Sequence, residues 1–242
     1  HLILMKMDKI NLYEFIGIMI GDGCLLDYPK HNIYGIEITG NATEEVDFYK
    51  KIEEFIKSNF DVNVRVHVRK DKTGQSLKLI CYSKILANFL KKQGIKRNKT
   101  YSTQIPSHLL EWKYSKYVIK GIFETDGCIY FSKSKKIAYP TYPRLEICTA
   151  SLQLATQIIK ILNTNGFTAR SYINKNTITI YMSGENMLNK WSTEIGWSGL
   201  KNQTKYDLWK SLGYYIPKIS LPERLKLLGV GGKVANIDLI SR

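Results

Sequence analysis

The sequence predicts an α+β protein made of two αββαββα halves. Three observations lead there. The first is a repeated phrase: Phe15–Cys24 reads FIGIMIGDGC and Ile119–Cys128 reads IKGIFETDGC, both apolar and both ending in Asp-Gly-Cys. Roughly a hundred residues separate the two copies, too long for a solenoid unit and about the size of a duplicated small domain. The second is that the hydrophobic period behind each copy switches between the helical and the strand value in the same order. The third is composition: 242 residues, 44% hydrophobic and 24% charged, suffice for one or two cored domains.

The first half opens with a helix over Asn11–Asp22. Leu12, Phe15, Ile16, Met19 and Ile20 recur at helical spacing, Asn11 can cap it and Gly23 stops it. Ile33–Asn41 alternates as a strand, hairpinned to Cys24–Lys30. Thr43 precedes a second helix, Glu44–Phe60, with Val46, Tyr49, Ile52, Phe55 and Ile56 on one face. Strands at Val62–Lys70 and Ser76–Ser83 follow, then a helix over Ser83–Lys92 ended by Gly94.

The second half repeats the order. Ser115–Asp126 is a helix; Cys128–Ser134 and Arg144–Thr149 are strands; Ser151–Asn163 is a helix. Strands at Thr168–Ile173 and Thr177–Ser183 precede a helix over Glu185–Glu194, ended by Gly196. The half-domains are expected at 8–94 and 114–212. A polar, basic linker (95–113) joins them and a C-terminal tail (213–242) follows, with a short helix near Tyr206–Leu212 ahead of it.

No run of eighteen apolar residues occurs, so no transmembrane helix is expected. The opening HLILMKMDKI is too short and too lightly charged for a signal peptide. Cys24, Cys81, Cys128 and Cys148 form no CxxC pair and sit with no histidine cluster, which argues against zinc. They are expected as buried strand residues in an intracellular, reducing compartment. The net charge of +15 points to a polyanionic partner. The basic residues fall mainly in strand-like segments, which favours nucleic acid over a membrane surface.

Gly17 and Gly21 are four apart, and so are Gly121 and Thr125. Each helical glycine costs about 1 kcal/mol against alanine, so their repetition implies close packing of the two helices about a pseudo-twofold axis. Asp22 and Asp126 then lie at the C-terminal, negative ends of those helices, beside one another, where carboxylates are disfavoured. The arrangement makes sense if a divalent cation, Mg²⁺ foremost, bridges them to phosphate oxygens.

FIGIMIGDG and IKGIFETDG resemble the signature of the LAGLIDADG homing endonucleases in their single-chain, two-repeat form, and the element order extends the resemblance over about residues 8–212. Ile20 stands where the signature has its first acid, whereas Glu124 retains one. The resemblance implies two four-stranded antiparallel sheets forming a saddle over the DNA major groove. The signature helices would form the domain interface, with Asp22 and Asp126 over the central minor groove. It implies metal-dependent hydrolysis of one phosphodiester per strand, leaving 3′ overhangs. Mg²⁺ or Mn²⁺ would support it and Ca²⁺ would be a non-catalytic substitute. Gly21 and Thr125 are expected to join the two aspartates as metal ligands.

The resemblance also places a lysine near the attacking water in each half: Lys99, with Lys96 as neighbour, and Lys201, with Lys205 as fallback. The reading surface is expected from Lys30, His31, Tyr34, Glu37, Thr39, Arg65, His67, Arg69, Lys70, Gln75 and Lys78 in the first half. In the second half it is expected from Ser132, Lys133, Lys135, Lys136, Arg144, Glu146, Arg170, Tyr172, Asn174, Lys175, Thr177 and Thr179. Such residues read base edges and bind phosphates, and their inequality between halves implies an asymmetric target. The chain would act as a monomer on double-stranded DNA. Two other readings share the scaffold: an intron RNA maturase, and a DNA-binding regulator without catalysis, against which both retained acids argue.

Overall fold

The computed structural model describes residues 9–71, 74–97, 100–133 and 138–230. The first half runs α1 (Leu12–Ile20), β1 (Gly23–Tyr28), β2 (Ile33–Asn41), α2 (Val46–Phe60), β3 (Arg65–Asp71), β4 (Gly74–Tyr82) and α3 (Lys84–Lys92). The second runs α4 (Trp112–Asp126), β5 (Gly127–Ser132), β6 (Tyr142–Thr149), α5 (Leu152–Thr164), β7 (Arg170–Asn174), β8 (Thr177–Ser183) and α6 (Glu185–Glu194). Two helices follow, α7 (Leu200–Leu212) and α8 (Leu221–Leu227). The strands form two four-stranded antiparallel sheets, ordered β1-β2-β4-β3 and β5-β6-β8-β7.

Strand parity assigns the faces. Ile36 and Ile38 of β2 and Leu77, Leu79 and Cys81 of β4 are buried beneath the helices, as are Leu145, Ile147, Ile180 and Met182 in the second sheet. Glu37, Thr39, Lys78, Arg65, His67 and Arg69 take the alternate positions and share the opposite face. The core is continuous through both halves, because α1 and α4 pack against each other. A methyl on Gly17 would lie 2.1 Å from the Val118 carbonyl oxygen, and one on Gly121 would lie 2.1 Å from that of Glu14. No side chain fits at either position, so the crossing requires glycine.

Several boundaries differ from the expected ones. α1 ends at Ile20, with the Gly21 N–H donating to the Gly17 carbonyl. Asp22 therefore lies in a turn beyond the helix, whereas Asp126 is the last residue of its helix. β1 stops at Tyr28 because Pro29 opens a 3-10 turn, Pro29–His31. α4 begins three residues earlier than its apolar periodicity suggested, at Trp112. The linker is not simply polar: Ile95, Ile105 and Leu109 are buried, and the Gln157 side chain pairs with the Ile105 backbone at 2.8 and 3.1 Å.

α7 begins at Leu200, well before the expected short helix, and α8 lies in the stretch expected only as a C-terminal tail. Of the cysteines only Cys81 is buried. Cys24 and Cys148 are exposed and Cys128 is half-buried, because their parity puts them on the face away from the core. Among the described residues no helix is long and apolar enough to cross a membrane.

Candidate active site and nucleic-acid interface

The α1/α4 crossing delivers the two aspartates. A methyl on Gly21 would sit 2.0 Å from Thr125 Oγ1 and 3.1 Å from Asp126 Oδ2. The Asp126 carboxylate therefore lies against the opposite half's backbone, one residue before Asp22. Thr125 Oγ1 donates to the Ile122 and Gly121 carbonyls at 2.9 and 3.2 Å, so its hydroxyl is committed to its own helix. Its hydroxyl oxygen keeps its lone pairs, and its main-chain carbonyl, in the last turn of α4, is a second oxygen it could offer a cation. Among the described residues no three His, Cys, Asp or Glu side chains converge as a metal cage. Two carboxylates with backbone oxygens suit Mg²⁺, which keeps several waters and completes its shell with substrate phosphates.

Each aspartate faces a segment outside its own half. Asp126 lines a cleft of about 230 Å³ with Gly21, Thr100, Thr103, Cys148 and Thr177. Thr100 and Thr103 belong to the segment after α3 that carries Lys99; Lys99 itself lies outside the described residues. On the other side, Lys201 of α7 holds Glu45 Oε1 at 2.5 Å and the Glu124 carbonyl oxygen at 3.2 Å. Burial works against the Lys201 ammonium, but Glu45, Glu124 and Asp22 together raise it above its ordinary value.

Glu45 is fixed in turn by the Asn41 N–H at 2.7 Å. The buried Tyr49 phenol stands beside it and is driven up by burial, then by the charges of Glu45 and Asp22. Glu124 is buried and accepts from the Ser198 N–H at 2.7 Å and from Asn202 Nδ2 at 3.3 Å. It thereby anchors the start of α7, and so Lys201, to the signature helix. Glu14 of α1 and Lys120 of α4 form a further buried pair at 3.8 Å. Burial raises Glu14 to about 7, and it raises Asp47, which accepts the Leu200 N–H, to about 6.

The sheet faces away from the helices carry most of the expected contact residues. On the first, the rows Glu37–Ile80–Arg65 and Thr39–Lys78–His67 run across β2, β4 and β3. Arg65, His67 and Arg69 are exposed, and Lys78 pairs with Glu37 at 2.8 Å. On the second, Ser132, Arg144, Glu146, Arg170, Tyr172, Asn174, Thr177 and Thr179 share the open face, although Thr179 is buried by its neighbours.

Other expected contacts lie elsewhere. Tyr34 packs on the core side under the Lys84 ammonium, since it alternates with Glu37 and Thr39. Gln75 and Lys70 pair at register positions that alternate with those of the open face. Lys30 and His31 sit on the 3-10 turn, and Lys175 sits at the β7–β8 turn with φ +53°. Lys133 is exposed past the end of β5, and Lys135 and Lys136 lie outside the described residues.

The arrangement is shared with known proteins. A mesophilic variant of the homing endonuclease I-DmoI superposes with a TM-score of 0.53 over 76% of this chain and 93% of its own, at 18% identity. The homing endonuclease I-WcaI, bound to its DNA recognition sequence, gives 0.53 over 78% and 81%, also at 18% identity. The LAGLIDADG meganuclease I-AabMI, bound to uncleaved DNA, gives 0.57 over 93% and 99%, at 14% identity. The chain has the two-repeat LAGLIDADG fold. No protein-family model and no curated protein matches the sequence.

Within the LAGLIDADG fold of this chain, sequence reasoning missed Glu45, Tyr49 and the open-face tyrosines Tyr130, Tyr142 and Tyr181. The tyrosines were findable, since each stands two residues from one already chosen on its strand and so shares its face. Glu45 was not, because its partner Lys201 is 156 residues away.

Proposed function

We propose that this chain is a site-specific double-strand DNA endonuclease of the homing type, hydrolysing one phosphodiester in each strand of a long asymmetric site and leaving 3′ overhangs. One observation carries the reading. The glycine-packed helix crossing sets the Asp126 carboxylate against Gly21, beside Asp22, at the junction of two sheets whose open faces carry arginine, lysine, histidine and tyrosine. The fold neighbour I-DmoI is known in complex with DNA and Mn and with DNA and Ca, and a variant of it with target DNA in the presence of Mg, which supports a divalent cofactor here.

Asp22 and Asp126, with the main-chain carbonyls of Gly21 and Thr125, would hold Mg²⁺ or Mn²⁺; Ca²⁺ would support binding without cutting. When bound, the metal activates water and stabilises the departing oxygen. The chain's own residues do the rest. The two open faces grip the half-sites, so the central phosphates are presented to the aspartates in fixed geometry. Lys201, held by Glu45 and Glu124, offers positive charge beside Asp22, where negative charge builds on the phosphoryl oxygens. The contact residues differ between the sheets, which favours an asymmetric target. The protein acts as an intracellular monomer with an internal pseudo-twofold axis.

The test is to select duplexes from a random pool in Ca²⁺ and then add Mg²⁺. Double-strand cleavage is expected, with Asp22→Asn and Asp126→Asn each binding but not cutting. Normal cutting by either variant would overturn the site assignment. Stimulation of intron splicing by a wild-type protein that cuts no duplex would replace the reading with the maturase.

A further inference from the structure

A cleft of about 420 Å³ opens beside the inner edge of the second sheet, between β5, α7 and the segment leading into α8. β5 is the terminal strand of its sheet and begins directly after Asp126. Tyr130, exposed on the open face, and Tyr215 form its walls; Lys201, Lys205, Lys218 and Arg224 supply its charge. Lys201 and Lys205 stand one helical turn apart on α7 and both reach the cleft.

Two of the four cations are already matched. Arg224, fully buried, pairs with Glu44, and Lys201 pairs with Glu45. Lys205 is half-buried and makes no hydrogen bond or ion pair among the described residues. Burial, then the Arg224 guanidinium, pull its ammonium below the ordinary value; Lys201 adds to this, while Cys128 and Glu44 oppose it. A half-buried ammonium with two cations beside it is an incomplete arrangement, and an anion would complete it.

We propose that this cleft seats a backbone phosphate of the bound DNA, with Lys205 as its principal ligand and Lys218 as the second. The inference rests on the endonuclease reading. The anion is a phosphodiester because the cleft shares the Tyr130 wall with the open sheet face and adjoins the strand that leaves Asp126. A base edge fits less well, since Glu44, the one carboxylate among the described residues that line the cleft, is consumed by Arg224.

The experiment measures affinity for the duplex that the protein selects from a random pool, in Ca²⁺, as a function of salt. Losing one phosphate contact lowers the salt slope by about 0.9. The affinity loss should be about tenfold. Lys205→Met, which keeps the apolar stem, should show both effects with an unchanged melting temperature, and Lys205→Arg should restore the slope. An unchanged slope and Kd in Lys205→Met would overturn the phosphate seat. So would normal binding with slowed single-turnover cutting, which would give Lys205 a role in chemistry instead. A wild-type protein that binds no duplex would remove the endonuclease reading itself, and this inference with it.

Discussion

Gly121→Ala sets two effects of opposite sign against each other. Alanine is favoured over glycine inside a helix by about 1 kcal/mol. The added methyl, however, would lie 2.1 Å from the Glu14 carbonyl oxygen and 2.7 Å from the Ile18 nitrogen, both backbone atoms of α1. No rotamer change relieves a clash with backbone, so α1 and α4 must separate by about 1 Å. A gap of that size forfeits a quarter to a half of each dispersion contact along the seam. Overpacking of this kind costs about 3 kcal/mol, leaving a net loss of about 2 kcal/mol.

For a chain of this length that lowers the melting temperature by about 4–8 °C. The same displacement moves Asp126 relative to Asp22, and about 1 Å at a reacting centre slows the chemical step by about a hundredfold. Thermal melting and single-turnover cleavage of a selected duplex read the two effects separately. A variant as stable as the wild type would refute the claim that the backbones touch. A destabilised variant that cuts normally would refute the claim that the crossing positions the aspartates.

Three further expectations follow from the same geometry. Glu14 is raised by burial from 4.5 to about 7, so the folded state binds more protons than the unfolded chain between those values and stability falls as pH rises through that window. Urea titrations of wild type and Glu14→Gln should diverge by about 3 kcal/mol across it and run parallel above pH 7; parallel curves throughout would show Glu14 ionised in both states. Glu44→Gln strands the buried Arg224 guanidinium, held otherwise by Thr204 Oγ1 at 2.9 Å and the Ile219 carbonyl at 2.9 Å, and should cost about 3 kcal/mol by chemical denaturation. Arg69→Ala should relax base preference in the first half-site only, by about 1–3 kcal/mol at one position; selection from a random pool that shows equal relaxation in both half-sites would contradict the assignment of sheets to half-sites.

The duplicated phrase was legible in the chain because each of its jobs is local. Gly17 and Gly121 announce a close helix crossing, and strand parity places Glu37, Arg65 and His67 on the open face of the first sheet and Arg144 and Glu146 on that of the second. Local signals failed where a residue's partner is distant. The basic linker hides Ile105, which Gln157 pins from α5, and the tail hides α8, held by a salt bridge from Arg224 to Glu44. Tyr34 reads as a polar strand residue until parity and the packing of Lys84 assign it to the core side.

What the sequence determined by itself was the pair of half-domains, the glycines of their crossing and the two aspartates, because period, glycine placement and repetition are properties of short segments. What only the tertiary structure decided was how each charge is partnered. Lys201 and Lys205 are alike in sequence, one turn apart on one helix. Folding brings Glu45 to the first and the Arg224 guanidinium to the neighbourhood of the second. A carboxylate 156 residues away therefore satisfies one lysine, while the other is left half-buried beside like charge. Electrostatic environment depends on distance in space and on exclusion of water, and neither is written in the order of residues.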